Sequence, residues 1–253
     1  VYKRQDYWTQ VIDIELPPIV RFERQGGGKE AIENAAKLLS KAKFPVILSG
    51  AGVVLGGAID ECKKLAEKLD APVCNGYQHN DSFPGSHPLA VGPLGYNGSK
   101  AAMELISKAD VVLALGTRLN PFSTLPGYGI DYWPKKATII QVDMNPDRIG
   151  LTKKVSVGIC GDAKQVAQQI LDKLSSDAGN TGREERKNLI HKTKSAWLQT
   201  LSGLDHEEDD PGTVWNKEAR ERDKDRMSPR QAWRAIQDAL PQDAIISSDI
   251  GNN

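Results

Sequence analysis

The sequence has 253 residues, 39% of them hydrophobic, which is enough for one large domain with a substantial core. Its 33 basic and 33 acidic residues cancel, so charge gives no reason to expect binding to nucleic acid or to an anionic membrane. No apolar stretch reaches the roughly 18 residues of a membrane span, and residues 1–5 are too polar for a secretory leader. We therefore expect a globular, cytoplasmic protein.

Residues 1–28 are predicted to be a connector. Two consecutive prolines at residues 17–18 stop regular structure, and three glycines at residues 26–28 loosen the chain before a helical pattern. We expect a domain to begin near residue 29. Because the first segment is not self-sufficient and the chain has no initiator methionine, we also expect a piece of a longer polypeptide.

The apolar run at residues 44–49 predicts a strand buried on both faces, as found in a parallel sheet. A turn carrying Gly50 and Gly52 follows it, and a helical pattern begins near Ala58. The helix start exposes unpaired N–H groups that can meet an anion. A second strand at residues 71–74 completes one β-α-β step.

The same alternation continues along the chain and predicts the fold class. Buried strands are expected at residues 110–116, 138–143 and 155–159, and helices at residues 99–108 and 162–174. Asp162 is the predicted N-cap of the last of these helices. The rhythm indicates an α/β fold with a doubly wound parallel sheet, whose carboxyl-edge loops face a ligand. Those loops, longer than usual, are residues 49–56, 75–98, 116–132 and 143–150.

From residue 175 the composition changes. A charged helix is predicted at residues 184–201, followed by a charged run at 205–225 that we interpret as a solvated linker rather than a binding tail. A Ser-Pro pair ending at Pro229 predicts a helix start, and residues 244–247 predict a new strand. We therefore divide the chain into a central Rossmann-like domain (29–177), a helical and charged linker (178–227) and the truncated start of another domain (228–253).

Three widely spaced cysteines, with no C-x-x-C pair among them, are predicted to be reduced. Cys62 lies in a helical pattern, and Cys74 and Cys160 fall at apolar strand positions. Buried packing is therefore the expected role for all three, in preference to catalysis or metal binding.

The glycine turn and two strand ends are the first candidate binding groups. Gly50 and Gly52 begin a near-match to a dinucleotide fingerprint, but its last spacing is one residue too long and no acidic residue follows the second strand. Alternatively, the glycines only shape a strand-to-helix turn. Arg118 and Asp143 end two other strands, where each would either face a ligand or form a cap or ion pair.

Other chemistry has little support in the sequence. His79 and His87 flank Asp81 in one loop, yet no cysteine or carboxylate spacing completes a metal site. The sequence contains no serine elbow and no phosphate-binding P-loop, so hydrolase and NTPase functions lose their usual evidence. We assign no catalytic and no metal-binding residue.

The last residues carry a sharper signal. An apolar strand ends in Asp249, Gly251, Asn252 and Asn253, which combine a tight turn with two side-chain amides. Such a group is suited to hydrogen-bonding a diphosphate. The alternative is an ordinary turn of the Asp-Gly kind.

Several segments together resemble the central domain of thiamine diphosphate-dependent enzymes, the superfamily of acetolactate synthases and decarboxylases. These segments are residues 44–52, 87–98, 110–118, 139–143, 161–162 and 248–251. Four others are similar to the sulfoacetaldehyde acetyltransferase family in particular. They are residues 6–11, 76–80, 92–100 and 120–127. The resemblance extends over nearly the whole chain from Asp6, and residues 1–5 do not fit it.

The resemblance implies a three-domain enzyme, of which this chain holds the exit of the pyrimidine-binding domain, the middle domain and the opening of the diphosphate-binding domain. It implies thiamine diphosphate and Mg²⁺ as cofactors, bound mainly through the missing domains. Within this chain Gly251, Asn252 and Asn253 match residues that approach the diphosphate. The catalytic groups lie elsewhere, so the fragment alone should be inactive.

The implied reaction converts sulfoacetaldehyde and phosphate into acetyl phosphate and sulfite, a step of taurine and sulfonate catabolism. The resemblance implies a transferase that works as a cytoplasmic homo-oligomer, a dimer or a tetramer, without nucleic acid or membrane. The alternatives are another synthase or decarboxylase with the same cofactor, or a nucleotide-binding structural module.

Flavin-using relatives hold FAD through a Met-His-Gly loop and an Arg-x-Asp-Asp segment. The matching places here, residues 96–98 and 118–121, read Tyr-Asn-Gly and Arg-Leu-Asn-Pro, so FAD is not expected. An ADP-like or other nucleotide stays a candidate ligand. The residues assigned to it are Gly50, Gly52, Arg118 and Asp143.

Overall fold

The structure, a computed structural model, describes residues 23–95, 98–204, 227, 229–241 and 243–246. Its strands are β1 (Pro45–Ser49), β2 (Val73–Asn75), β3 (Ala90–Pro93), β4 (Val111–Leu115), β5 (Thr138–Asp143) and β6 (Val157–Cys160). Its α-helices are α1 (Lys29–Lys41), α2 (Ala51–Gly56), α3 (Ile59–Leu69), α4 (Lys100–Ile106), α5 (Ala163–Lys173), α6 (Arg183–Leu204) and α7 (Pro229–Ala239). None of these helices combines the length and apolar character needed to cross a membrane.

The six strands form one sheet in the order β3-β2-β1-β4-β5-β6, and every pairing is parallel. The chain winds outward from β1 to β3, returns to place β4 beside β1, and then winds outward again to β6. One apolar core lies between the sheet and α1, α3 and α5, and the other between the sheet and α4 and α6. The predicted α/β fold with a doubly wound parallel sheet is therefore confirmed.

The central strand β1 shows why the apolar run at residues 44–49 folds as predicted. All of its residues are buried, with Ile47 in one core and Val46 and Leu48 in the other. Successive side chains of a strand point to opposite faces, so a strand covered on both sides needs a continuous apolar run.

The structure differs from the predicted elements at several places. The loop predicted at residues 75–98 contains β3, a short edge strand. The sequence pattern did not predict this strand, because Gly92 has a φ of +92° and the pairing with β2 shifts register beside it. The turn after β1 is itself helical, as α2. Residues 244–246 form no strand, and Ile245 is 97% exposed. An isolated segment cannot form a ladder without a paired neighbour.

The cysteine prediction is right for two of the three residues. Cys62 and Cys74 are buried, but Cys160 is exposed. The prediction fails at Cys160 because β6 is an edge strand whose burial alternates, and Cys160 lies on its exposed face. Its thiol donates a weak hydrogen bond to the carbonyl of Met144, at 3.5 Å.

A buried arginine fixes α6 to the rest of the domain. Arg186 is 1% exposed, and its guanidinium donates hydrogen bonds to the carbonyls of Leu69 at 2.9 Å and Asp70 at 3.0 Å, where α3 ends. Burial lowers the pKa of Arg186, but an arginine keeps its charge in proteins. The charged helix predicted at residues 184–201 is therefore anchored by an internal cation.

Candidate functional site

A cleft of about 360 Å³ lies at the carboxyl edge of the sheet, beside the point where the strand order reverses between β1 and β4. Ligands of open α/β sheets bind at this position. The cleft is lined by residues that follow β1, β2, β4, β5 and β6, together with Arg24. Three of the four predicted nucleotide-binding residues, Gly52, Arg118 and Asp143, lie on its wall, whereas Gly50 does not.

The glycines after β1 allow two backbones to touch. The N–H of Gly52 donates to the carbonyl of Gly116 at 2.8 Å, and a Cβ on Gly52 would lie 2.7 Å from the Cα of Gly116. A Cβ on Gly50 would lie 2.6 Å from the Cβ of Thr117. Of the two interpretations of this glycine turn, close packing explains both positions, and Gly52 also faces the cleft.

Two arginines bring positive charge to the cleft. Arg118 follows β4, and Arg148 ends a 3₁₀ turn (Pro146–Arg148) after β5. Both side chains are exposed, and neither forms a salt bridge within the part of the chain that the structure describes. Guanidinium groups without a carboxylate partner are suited to binding phosphate or carboxylate.

The acidic side chains on the wall have structural partners. Asp143 accepts a hydrogen bond from the N–H of Asn145 at 2.9 Å, which closes a turn. Asp162 accepts from the N–H groups of Lys164 and Gln165, both at 3.1 Å, so it is the N-cap of α5 as predicted. Its carboxylate also lies 3.5 Å from the guanidinium of Arg24.

The loop after β2 forms the opposite wall. Gln78 has a φ of +68°, which non-glycine residues rarely adopt, and His79 beside it is half-buried. The N–H of Tyr77 donates to the hydroxyl of Ser123 at 2.9 Å, which ties this loop to the one after β4. Leu119 in that second loop has a φ of +54°. Uncommon backbone conformations therefore flank the cleft on both sides, as is frequent at functional sites.

The sequence patterns did not identify several cleft residues. Arg148 lies in a loop that was predicted to face a ligand, so its position could have been inferred. Gln78 also lies in a loop predicted to face a ligand, but its backbone conformation is not encoded in its residue type. Arg24 gave no such signal, because it reaches the cleft from far along the chain.

His79 and His87 do not meet. His79 lines the cleft, whereas the Nε2 atom of His87 lies 3.2 Å from a carboxylate oxygen of Glu67, in a different groove. Within the described ranges, no group of three or more histidine, cysteine, aspartate or glutamate side chains is arranged to hold a metal. Residues 249–253, which include Gly251, Asn252 and Asn253, lie outside the described residues, as do Tyr96 and Asn97.

Comparison with known proteins supports the observed fold and identifies the family to which the chain belongs. Residues 32–170 match the sequence model of the family described as "Thiamine pyrophosphate enzyme, central domain". The solved structure of benzoylformate decarboxylase from Polynucleobacter necessarius shares the fold, with a TM-score of 0.54 and 22% identity over 70% of this chain and 33% of that chain.

Two relatives are much more similar in sequence. The sulfoacetaldehyde acetyltransferase of Roseovarius nubinhibens is 75% identical over 98% of this chain and 41% of its own length. The protein of the same name from Rhodobacter capsulatus is 64% identical over 98% of this chain and 42% of its own length. The chain thus spans less than half the length of these relatives. It belongs to the thiamine pyrophosphate enzyme family, whose central domain it contains.

Proposed function

We propose that this chain is part of a sulfoacetaldehyde acetyltransferase. The observation that carries the proposal is the 75% identity to a protein of that name over almost the whole chain. The whole protein would convert sulfoacetaldehyde and phosphate into acetyl phosphate and sulfite, as a cytoplasmic homo-oligomer in taurine and sulfonate catabolism.

Thiamine diphosphate with Mg²⁺ would supply the carbanion chemistry of this reaction. The described residues do not fit this pair, because the cleft offers arginines and contains no cluster of metal ligands. We assign to the diphosphate only Gly251, Asn252 and Asn253, and we assign Mg²⁺ to residues of the whole protein outside the described ranges. In this proposal the described residues form a scaffold domain that supports the cofactor-binding residues.

The full-length enzyme tests the proposal. With sulfoacetaldehyde and phosphate, sulfite and acetyl phosphate should form in equal amounts, and omission of phosphate should stop acetyl phosphate formation. A related acetolactate synthase would instead turn over pyruvate without phosphate. Absence of either product, with thiamine diphosphate and Mg²⁺ supplied, would exclude the assignment.

A second proposal concerns the cleft, which we suggest binds an anionic nucleotide such as ADP. Arg118 and Arg148 offer guanidinium groups that have no carboxylate partner among the described residues. Asp143 keeps a second carboxylate oxygen for a ribose hydroxyl. A volume of about 360 Å³ lies near the lower end of the roughly 300–1,000 Å³ of small-molecule sites, which favours a mononucleotide over FAD.

Titration calorimetry of the chain with ADP, FAD and coenzyme A measures this binding directly. Arg118→Met should weaken the binding of ADP at least about tenfold, since a charge-assisted hydrogen bond contributes about 1.5–3 kcal/mol. Lys37→Met, a charge change on α1 away from the cleft, is the matched control. Saturable binding by the chain alone would favour a nucleotide-binding module, and equal losses in both variants would show that the cleft is not the site.

A further inference from the structure

The two arginines that line the cleft, Arg118 and Arg148, stand on different loops. Arg118 belongs to the loop after β4, and Arg148 to the loop after β5. Both side chains are exposed, and neither has a salt-bridge partner among the described residues. The positions of the two guanidinium groups therefore depend on what holds the neighbouring backbone.

The neighbours of Arg118 are held on both sides. The carbonyl of Thr117 accepts a hydrogen bond from the side-chain amide of Gln141 at 3.1 Å. The carbonyl of Leu119 accepts one from the hydroxyl of Thr152 at 2.8 Å, and the N–H of Leu119 donates to the hydroxyl of Thr117 at 3.2 Å. Leu119 is fully buried with a φ of +54°, a conformation that a leucine keeps only where its surroundings impose it.

The backbone around Arg148 is held by the same glutamine. The carbonyl of Arg148 accepts a hydrogen bond from the Nε2 atom of Gln141 at 3.1 Å, and its N–H donates to the carbonyl of Asn145 at 3.1 Å. The N–H of Gly150 donates to the Oε1 atom of Gln141 at 2.9 Å. Gln141 is fully buried, so solvent does not compete for its amide.

These contacts connect the two loops to each other. Gln141 binds the carbonyls of both loops from β5, and Thr152 reaches from the second loop to Leu119 in the first. A displacement of either loop would break hydrogen bonds made to the other. The two loops, with their arginines, therefore form one rigid unit.

We propose that Gln141 and Thr152 are positioning residues for the two arginines of the cleft. They lock the guanidinium groups into one anion-binding pair, which selects a ligand with two linked phosphate groups over a ligand with one. The inference rests on the nucleotide function proposed for the cleft and names the part of the ligand that is recognised there. A guanidinium binds phosphate through N–H groups in a fixed plane. Two such groups on connected loops bind a diphosphate without the ordering that would otherwise weaken binding.

Thr152→Val tests this role, because it removes the hydroxyl and nearly keeps the shape of the side chain. The wild-type chain should bind ADP more tightly than AMP. The variant should bind ADP about three- to tenfold more weakly, the value of one lost hydrogen bond, with little change for AMP. Thr152→Ser keeps the hydroxyl and should restore the wild-type affinities. Titration calorimetry of each chain with both nucleotides gives the comparison.

Thr200→Val is the matched control. It removes a threonine hydroxyl that donates to the carbonyl of Ala196 at 3.0 Å on the exposed surface of α6, so both affinities should stay unchanged. A merely structural role of Thr152 would lower the number of binding-competent chains without changing the preference for ADP over AMP. Equal weakening of ADP and AMP in Thr152→Val, or an unchanged affinity for ADP, would overturn the proposal.

Hydrogen exchange of the ligand-free chain tests the connection between the loops separately. In Thr152→Val the N–H groups of Leu119 and Gly150 should both exchange faster, while those of β1 keep their wild-type rates. Faster exchange in one loop alone, or in neither, would show that the loops are independent. If the wild-type chain binds no ADP, the nucleotide function fails and the selectivity for a diphosphate fails with it. The exchange rates would still decide whether the two loops form one unit.

Discussion

The buried side-chain amide of Gln141, in the middle of β5, donates a hydrogen bond to the backbone carbonyl of Thr117 at 3.1 Å. The same nitrogen donates to the carbonyl of Arg148 at 3.1 Å, and the amide oxygen accepts from the N–H of Gly150 at 2.9 Å. One side chain therefore connects the two loops that carry Arg118 and Arg148 to the candidate cleft.

Replacing this amide should destabilise the domain. Gln141→Leu would leave the carbonyls of Thr117 and Arg148 and the N–H of Gly150 without their partner, so the free energy of unfolding should fall by about 2–4 kcal/mol. Gln168→Leu removes an amide whose partner among the described residues is the exposed Asp172, and it should change the free energy of unfolding by about 0.5 kcal/mol or less. Urea denaturation of both variants compares the losses, and similar values would contradict this role of Gln141.

Arg186 should be far more important for stability than the neighbouring Arg183. The guanidinium of Arg186 also donates to the carbonyls of Lys43, Gly179 and Thr181. Arg186→Met would leave several buried carbonyls unsatisfied, and we expect a loss of about 3 kcal/mol or more in the free energy of unfolding.

The control for that prediction is Arg183→Met. Arg183 is half-exposed and pairs with the buried carboxylate of Asp70, which also has the Nζ of Lys187 at 3.8 Å. Because that second cation remains, the loss of Arg183 should cost less than the loss of Arg186. In thermal denaturation, the melting temperature of Arg186→Met should be well below that of Arg183→Met. The reverse order would show that α6 is anchored by the ion pair rather than by the internal cation.

The parts of the fold that the sequence predicts are those encoded locally. The run at β1, the cap at Asp162 and the strand ends that carry Arg118 and Asp143 depend on short-range patterns and on the rules of parallel sheets. The site depends also on contacts between distant segments. Nothing in the residue type of Arg24 indicates that it will lie against Asp162.

Residues with two roles were the hardest to interpret. Gln141 stands inside an apolar strand, where the pattern predicts only burial, and its three hydrogen bonds become visible once the loops after β4 and β5 are placed. Cys160 fits an apolar strand, but the strand lies at the edge of the sheet, which depends on the order of all six strands. Such features follow from topology rather than from periodicity.

The contact between Gly52 and Gly116 predicts intolerance of any side chain. Gly52→Ala would force its Cβ to within 2.7 Å of a backbone atom that cannot move aside easily. We expect the free energy of unfolding to fall by about 3 kcal/mol, the upper end of ordinary overpacking. Gly85→Ala, at an exposed glycine with no atom within 4 Å of the new Cβ, should be nearly neutral. Equal effects of the two substitutions in chemical denaturation would argue against the close backbone contact.

The three thiols should react with a disulfide reagent at different rates, because they differ in solvent exposure. In the folded chain a bulky disulfide reagent should modify Cys160 rapidly and leave Cys62 and Cys74 unmodified, because only Cys160 is exposed. Under denaturing conditions all three should react. Cys160→Ser should abolish the fast reaction, and rapid labelling of a second thiol in the native state would show that one of the buried cysteines opens to solvent.

Alkaline pH should weaken the fold through Cys62. Burial raises the pKa of this thiol from 9.0 to about 12, so it stays protonated in the folded chain while the unfolded chain ionises. Above about pH 9 the unfolded state binds fewer protons than the native state, and this thiol's contribution to stability is lost as pH rises towards about 12. The expected slope is up to about 1.4 kcal/mol per pH unit. Cys62→Ala, compared with the wild-type chain by denaturation between about pH 8 and about pH 11, should show a shallower decline, and parallel profiles would refute the assignment.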